Sequence, residues 1–151
     1  MDRTYSYTYF GINSNGEIED NKGLVAFEKG VFKPDDLTKL LEIQPFVSWK
    51  KGDRRPNGSE ILFSSWDAEK SEVDRLDVEA QCMDTIKNLK NKIVELKQIK
   101  ELYDVNFCIM IVPHIFGEEK PFISFNNEII EFCYLTGTTI QVDMYIYPEE
   151  D

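Results

Sequence analysis

Histidine is almost absent from this chain: His114 is the only one. A catalytic triad, a Cys–His dyad or a His-bearing zinc site would each have to be built on that residue. Cysteine is scarce as well, and Cys82, Cys108 and Cys133 show no C-x-x-C spacing. Scattered thiols of odd number in apolar or helical patterns read as buried free cysteines of a reducing cytoplasm. Nucleotide cradles of the G-x-x-x-x-G-K-[ST] or G-x-G-x-x-G kind are missing, and so is a G-x-S-x-G elbow. No basic-then-apolar start suggests a secretory signal. The longest apolar run, Phe107 to Pro113, falls far short of the roughly 20 residues of a membrane span. Basic residues are also in short supply: 17 against 28 acids, for a net charge of -11. Phosphate contacts need a dense basic face, so nucleic-acid binding is disfavoured. The expectation is a cytoplasmic protein with no catalytic residues, no cofactor, no metal site and no membrane partner.

What the chain does contain is a globular composition. Hydrophobic residues make up 42% and aromatics 13% of its 151 residues. That length suits one domain, and neither a linker nor a low-complexity segment interrupts it. We therefore expect residues 1–151 to form a single domain.

Secondary structure follows from periodicity. Tyr5, Tyr7 and Tyr9 alternate with Ser6 and Thr8 within Thr4 to Ile12, which marks a strand with an aromatic face. Asn15-Gly16 signals a turn into a polar loop from Glu17 to Gly23, and Leu24 to Phe27 suits a short strand. Pro34 opens a helix whose acidic start, Asp35-Asp36, complements the helix dipole, with Leu37, Leu40 and Leu41 on one face. Pro45 prevents its continuation. Phe46 to Trp49 reads as extended, Lys50 to Gly58 as a charged loop, and Ile61 to Trp66 as a strand. The pattern from Glu72 to Tyr103 is helical, with a break expected near Asn88 or Asn91.

Val105 to Val112 is nearly all apolar, as in a central strand covered on both faces. A short strand at Phe122 to Phe125 leads to a helix capped by Asn126 or Asn127 and ended by Gly137. The close, Thr139 to Tyr147, alternates: Ile140, Val142, Met144 and Ile146 are expected inside, with Gln141, Asp143, Tyr145 and Tyr147 outside. The sum is an α+β fold, a mixed and largely antiparallel sheet with helices mainly on one face, in the manner of a ferredoxin-like variant.

Three segments carry a family likeness. They are Pro34-Asp-Asp-Leu to Pro45 with Trp49-Lys-Lys-Gly-Asp53, the helical stretch into Tyr103-Asp-Val-Asn-Phe107, and Ile123 to Tyr145 with its Thr-Gly137 turn. In order and spacing they resemble a bacterial family catalogued as domain of unknown function 4279. The resemblance implies a fold expectation only. It carries over no catalytic or ligand-binding residue.

Two binding surfaces suggest themselves. Acidic residues crowd Asp67 to Glu79, including Asp67, Glu69, Glu72 and Asp74, with Trp66 as an aromatic anchor. Such a surface suits a basic protein partner, as in an immunity or antitoxin-type protein. The bland reading of the same acids is a solvated helix start. Trp49, Lys51 and Arg54 in a basic loop, joined by Asp143 and Tyr145 on the last strand, have the chemistry of a small-molecule or phosphate site, whether for binding alone or for catalysis. Sequence alone leaves open whether they share one pocket. His114 itself reads as a solvated histidine in a loop at a strand end.

Overall fold

The computed structural model describes residues 2–14, 18–19, 25–26 and 31–148. The elements in chain order are β1 (Tyr5–Ser14), β2 (Ile18–Glu19), β3 (Val25–Ala26), α1 (Pro34–Leu41), β4 (Val47–Trp49) and β5 (Ser65–Asp67). They continue with α2 (Val78–Ile86), α3 (Ile93–Tyr103), β6 (Val105–Phe116), α4 (Asn127–Thr136), β7 (Thr138–Val142) and β8 (Tyr145–Tyr147). Among the described residues this is an α+β fold: four helices with a six-stranded, mixed and mostly antiparallel sheet. Its order is β4-β5-β1-β6-β7, and β8 runs parallel to β6; β2 and β3 form a separate antiparallel pair. The Asn15-Gly16 turn and the polar loop that follows lie outside the described residues, apart from β2.

Packing groups the chain into two compact units, and β1 and β6 contribute residues to each. One unit comprises 11–68 and 92–107. In it β5 pairs on one side with β1, Ile12 opposite Trp66, and on the other with β4, Ser48 opposite Trp66. Pro34 does begin α1, with Asp35 and Asp36 in the first turn. The helix stops at Leu41 because Glu42 adopts a left-handed conformation (φ 57°), before Pro45 is reached. Leu37 and Leu41 are buried alongside Ile12, Phe32, Trp66, Leu96, Ile99 and Phe107. At about 1.5–3 kcal/mol for each large apolar side chain removed from water, these residues supply the main stabilisation.

The other unit comprises 1–10, 69–91 and 108–151. The long helical pattern begins only at Val78. Asp74 Oδ1 accepts from Leu76 N at 2.9 Å and holds a turn, and Asp77 caps α2 by accepting from Ala80 N at 3.0 Å. Acid side chains that bond local backbone N–H groups compete with helix, which explains the late start. The expected break falls at residues 87–92 and contains both Asn88 and Asn91. Helix α4 is capped by Asn126, whose side chain accepts from Ile129 N at 3.0 Å, and ends at left-handed Gly137 (φ 69°).

Three expectations need correction. Ile61 to Trp66 is shortened to Ser65–Asp67, and Phe122 makes only a single bridge to Asp77. The closing strand is two pieces, parted at Asp143-Met144. Val142, Met144 and Ile146 are exposed, Ile146 at 73%, so the alternation there does not mark a buried face.

Candidate functional site

A cluster of partly exposed aromatic rings occupies one face of the second unit. β1 sends Ser6, Thr8 and Phe10 inward, where Thr8 Oγ1 meets Thr85 Oγ1 at 2.7 Å and Phe10 packs edge-on against Phe132. The period of two then puts Tyr5 and Tyr7 on the opposite face. β6 brings His114 and Phe116 to that face, and parallel pairing sets Tyr145 beside His114 and Tyr147 beside Phe116.

The outcome is a layered stack. The His114 ring lies 4.5 Å from Tyr5 and 4.8 Å from Tyr145, 9° from parallel with each. Phe116 and Tyr147 stack at 4.2 Å and 2°. Imidazole Nδ1 is 2.6 Å from the Tyr147 hydroxyl, and the Tyr145 hydroxyl donates to Asp143 Oδ2 at 2.9 Å. A cation already stands on this face, Lys70 Nζ, 4.3 Å above the Tyr7 ring. Tyr5 and Tyr145 remain 39% and 44% exposed. Both phenols are held above their ordinary pKa, Tyr5 chiefly by burial and Tyr145 chiefly by its bond to Asp143, so both keep their protons at neutral pH. His114 is thus no solvated loop residue but part of β6, half-buried between rings. Strand period was the available signal: Met110, Val112, His114 and Phe116 share one parity, as Tyr5 and Tyr7 do.

Acids line the same unit. The segment before α2 runs along β1: Ser71 N donates to Thr8 O at 2.8 Å, and Ser6 N donates to Arg75 O at 2.7 Å. Glu69, Glu72 and Asp74 are exposed on that segment. None of them is in a helix. Trp66 and Asp67 belong to the other unit, and Trp66 corrects the anchor expectation. Its side chain is wholly buried, with Nε1 donating to Thr38 Oγ1 at 3.0 Å, so it presents no surface to a partner. Asp67 is partly buried, which pushes its carboxyl up to about 6 against a smaller opposing effect of Ser65.

The proposed ligand residues are divided between the units. Trp49 stands edge-on to Phe63 at 5.6 Å and lines a cavity of about 320 Å³ with Lys33, Pro34, Asp35, Ser48, Lys50 and Asp53. Lys51 and Arg54 are not in that lining; Arg54 Nη1 donates to Gly58 O at 3.1 Å within its own loop. Asp143 and Tyr145 belong to the aromatic face of the second unit.

Nucleophile chemistry finds little support in the thiols. Burial pushes Cys82 up to about 12 and Cys133 up to about 11, so both are protonated at neutral pH. Among the described residues no group of three or more His, Cys, Asp or Glu is placed to hold a metal ion. No helix in the described residues is long and apolar enough to cross a membrane.

With that geometry in view, the family model described as Domain of unknown function (DUF4279) matches residues 21–147. No curated protein and no solved structure matches the chain.

Proposed function

We propose, for a chain that belongs to the DUF4279 family, a non-catalytic binding role in which the Tyr5–His114–Tyr145 face engages a basic protein. One observation carries the reading. A half-exposed stack of aromatic rings lies in the same unit as the exposed carboxylates Glu69, Glu72, Asp74 and Asp143. Aromatic rings supply interface energy at small entropic cost, and surrounding charge selects and steers the partner. A net charge of -11 favours fast association with a cationic protein. The relation is that of an immunity or antitoxin-type protein to its target. Trp66 has no part in it.

A small-molecule reading draws on the cavity beside Trp49. Its two lysines are offset by Asp35 and Asp53, so its lining favours neither sign of ligand. The protein-binding reading is the stronger.

Its test is affinity capture from the native host with the wild type and with the Tyr5→Ala/Tyr145→Ala double variant side by side. The reading expects a basic protein held by the first and lost by the second. Equal retention by both, or no basic protein at all, would overturn it.

A further inference from the structure

We infer that the group recognised on the aromatic face is a guanidinium, so that the partner docks through arginine side chains; this rests on the protein-binding reading above. Three features of the face lead there. The first is flatness: the Tyr5, His114 and Tyr145 rings are parallel within 9° at each contact, and both outer rings are partly exposed. A planar guanidinium stacks on such rings, whereas a lysine ammonium acts only as a point charge. The second is a fixed carboxylate beside the exposed ring. Asp143 Oδ2 is held by the Tyr145 hydroxyl at 2.9 Å, and its backbone N–H is anchored on Ile111 O at 2.8 Å. Asp143 Oδ1 has no hydrogen-bond partner among the described residues, and the side chain is exposed. Ring and carboxylate are thus presented together, the pair that a guanidinium satisfies by stacking with one face and bonding through its edge.

The third feature is Lys70, which shows that these rings accept a cation. Its Nζ lies over Tyr7 at 4.3 Å, on the neighbouring ring of the same face. Tyr145 carries no such cation from the chain itself among the described residues, so its ring, with Asp143 beside it, is open to one from a partner.

Titration of the purified protein with a tetra-arginine peptide and a tetra-lysine peptide of equal charge tests this, read by NMR on the His114 and Tyr145 ring signals. The arginine peptide should shift both signals saturably, with an apparent affinity at least about fivefold above that of the lysine peptide. Asp143→Asn should reduce that preference to about twofold or less while the ring signals of the free protein keep their stacked positions. Equal response to the two peptides, no saturable shift with either, or an undiminished preference in Asp143→Asn would overturn the inference. Such a failure is separable from failure of the broader reading, which stands or falls on capture of a basic protein by the wild type and its loss with the double variant.

Discussion

The His114 imidazole and the Tyr145 ring lie 4.8 Å apart and 9° from parallel, on strands paired in parallel at that register. The stack is fixed from the side by the Tyr147 hydroxyl, 2.6 Å from His114 Nδ1. Tyr147→Phe removes that partner but keeps the ring against Phe116. It should cost about 0.5–1.5 kcal/mol and change the imidazole nitrogen NMR shifts of His114. Tyr145→Phe, at an exposed hydroxyl, should leave the melting temperature unchanged. Unaltered His114 shifts in Tyr147→Phe would show that the hydroxyl does not set the ring.

Asp67 makes stability depend on pH. Its carboxyl is raised from 3.8 to about 6 by burial, so the folded state favours the protonated form. The stability this lends is complete below the unfolded value near 3.8 and is lost as pH rises through about 6. Asp67→Asn should therefore melt higher than wild type at pH 8, and the difference should vanish near pH 4. Allowing for solvent screening at a partly exposed group, the gain is on the order of 1 kcal/mol, or about 2–4 °C. A constant difference across pH 4–8 by thermal melting would contradict this.

Thr38 Oγ1 accepts the hydrogen bond of the buried Trp66 indole N–H at 3.0 Å. Thr38→Val keeps the shape and strands the donor, at a cost of about 1–3 kcal/mol in chemical denaturation. Partner binding, if measured with the captured protein, should not change, because Trp66 stands inside the fold.

The thiols should be inert in the native state. With Cys82 near 12 and Cys133 near 11, thiolate is scarce at pH 8. Mass spectrometry after iodoacetamide treatment should find both alkylated far more slowly than in denaturant. Rapid labelling of Cys82 in the folded protein would contradict its burial.

Much of the fold was legible because its signals are local. Pro34, Asn126 and Gly137 mark helix ends by backbone geometry that any tertiary setting preserves, and the two asparagines foretold the α2–α3 break. The tyrosine face of β1 was legible through a period of two. Other features depended on tertiary pairing. Whether the Thr139–Tyr147 alternation buries its apolar residues is decided by what covers them, and sequence carries no record of that cover. The place of His114 is hidden from sequence for a similar reason: β6 runs on through Pro113, although a proline commonly ends a strand inside a sheet. The burial of Trp66 is not legible in sequence, because a tryptophan beside acids reads equally as an anchor or as core. Its neighbour across the sheet, Ile12, and its acceptor, Thr38, are distant in the chain.

Hydroxyl-radical footprinting of the chain alone and in complex with the captured basic protein reads out whether the Tyr5–His114–Tyr145 face is the one a partner covers. Tyr5, Tyr145 and Met144 should lose reactivity on binding, while exposed Tyr134 on α4 keeps its own. Protection of Tyr134 with Tyr5 and Tyr145 left as reactive as in the free protein would contradict it.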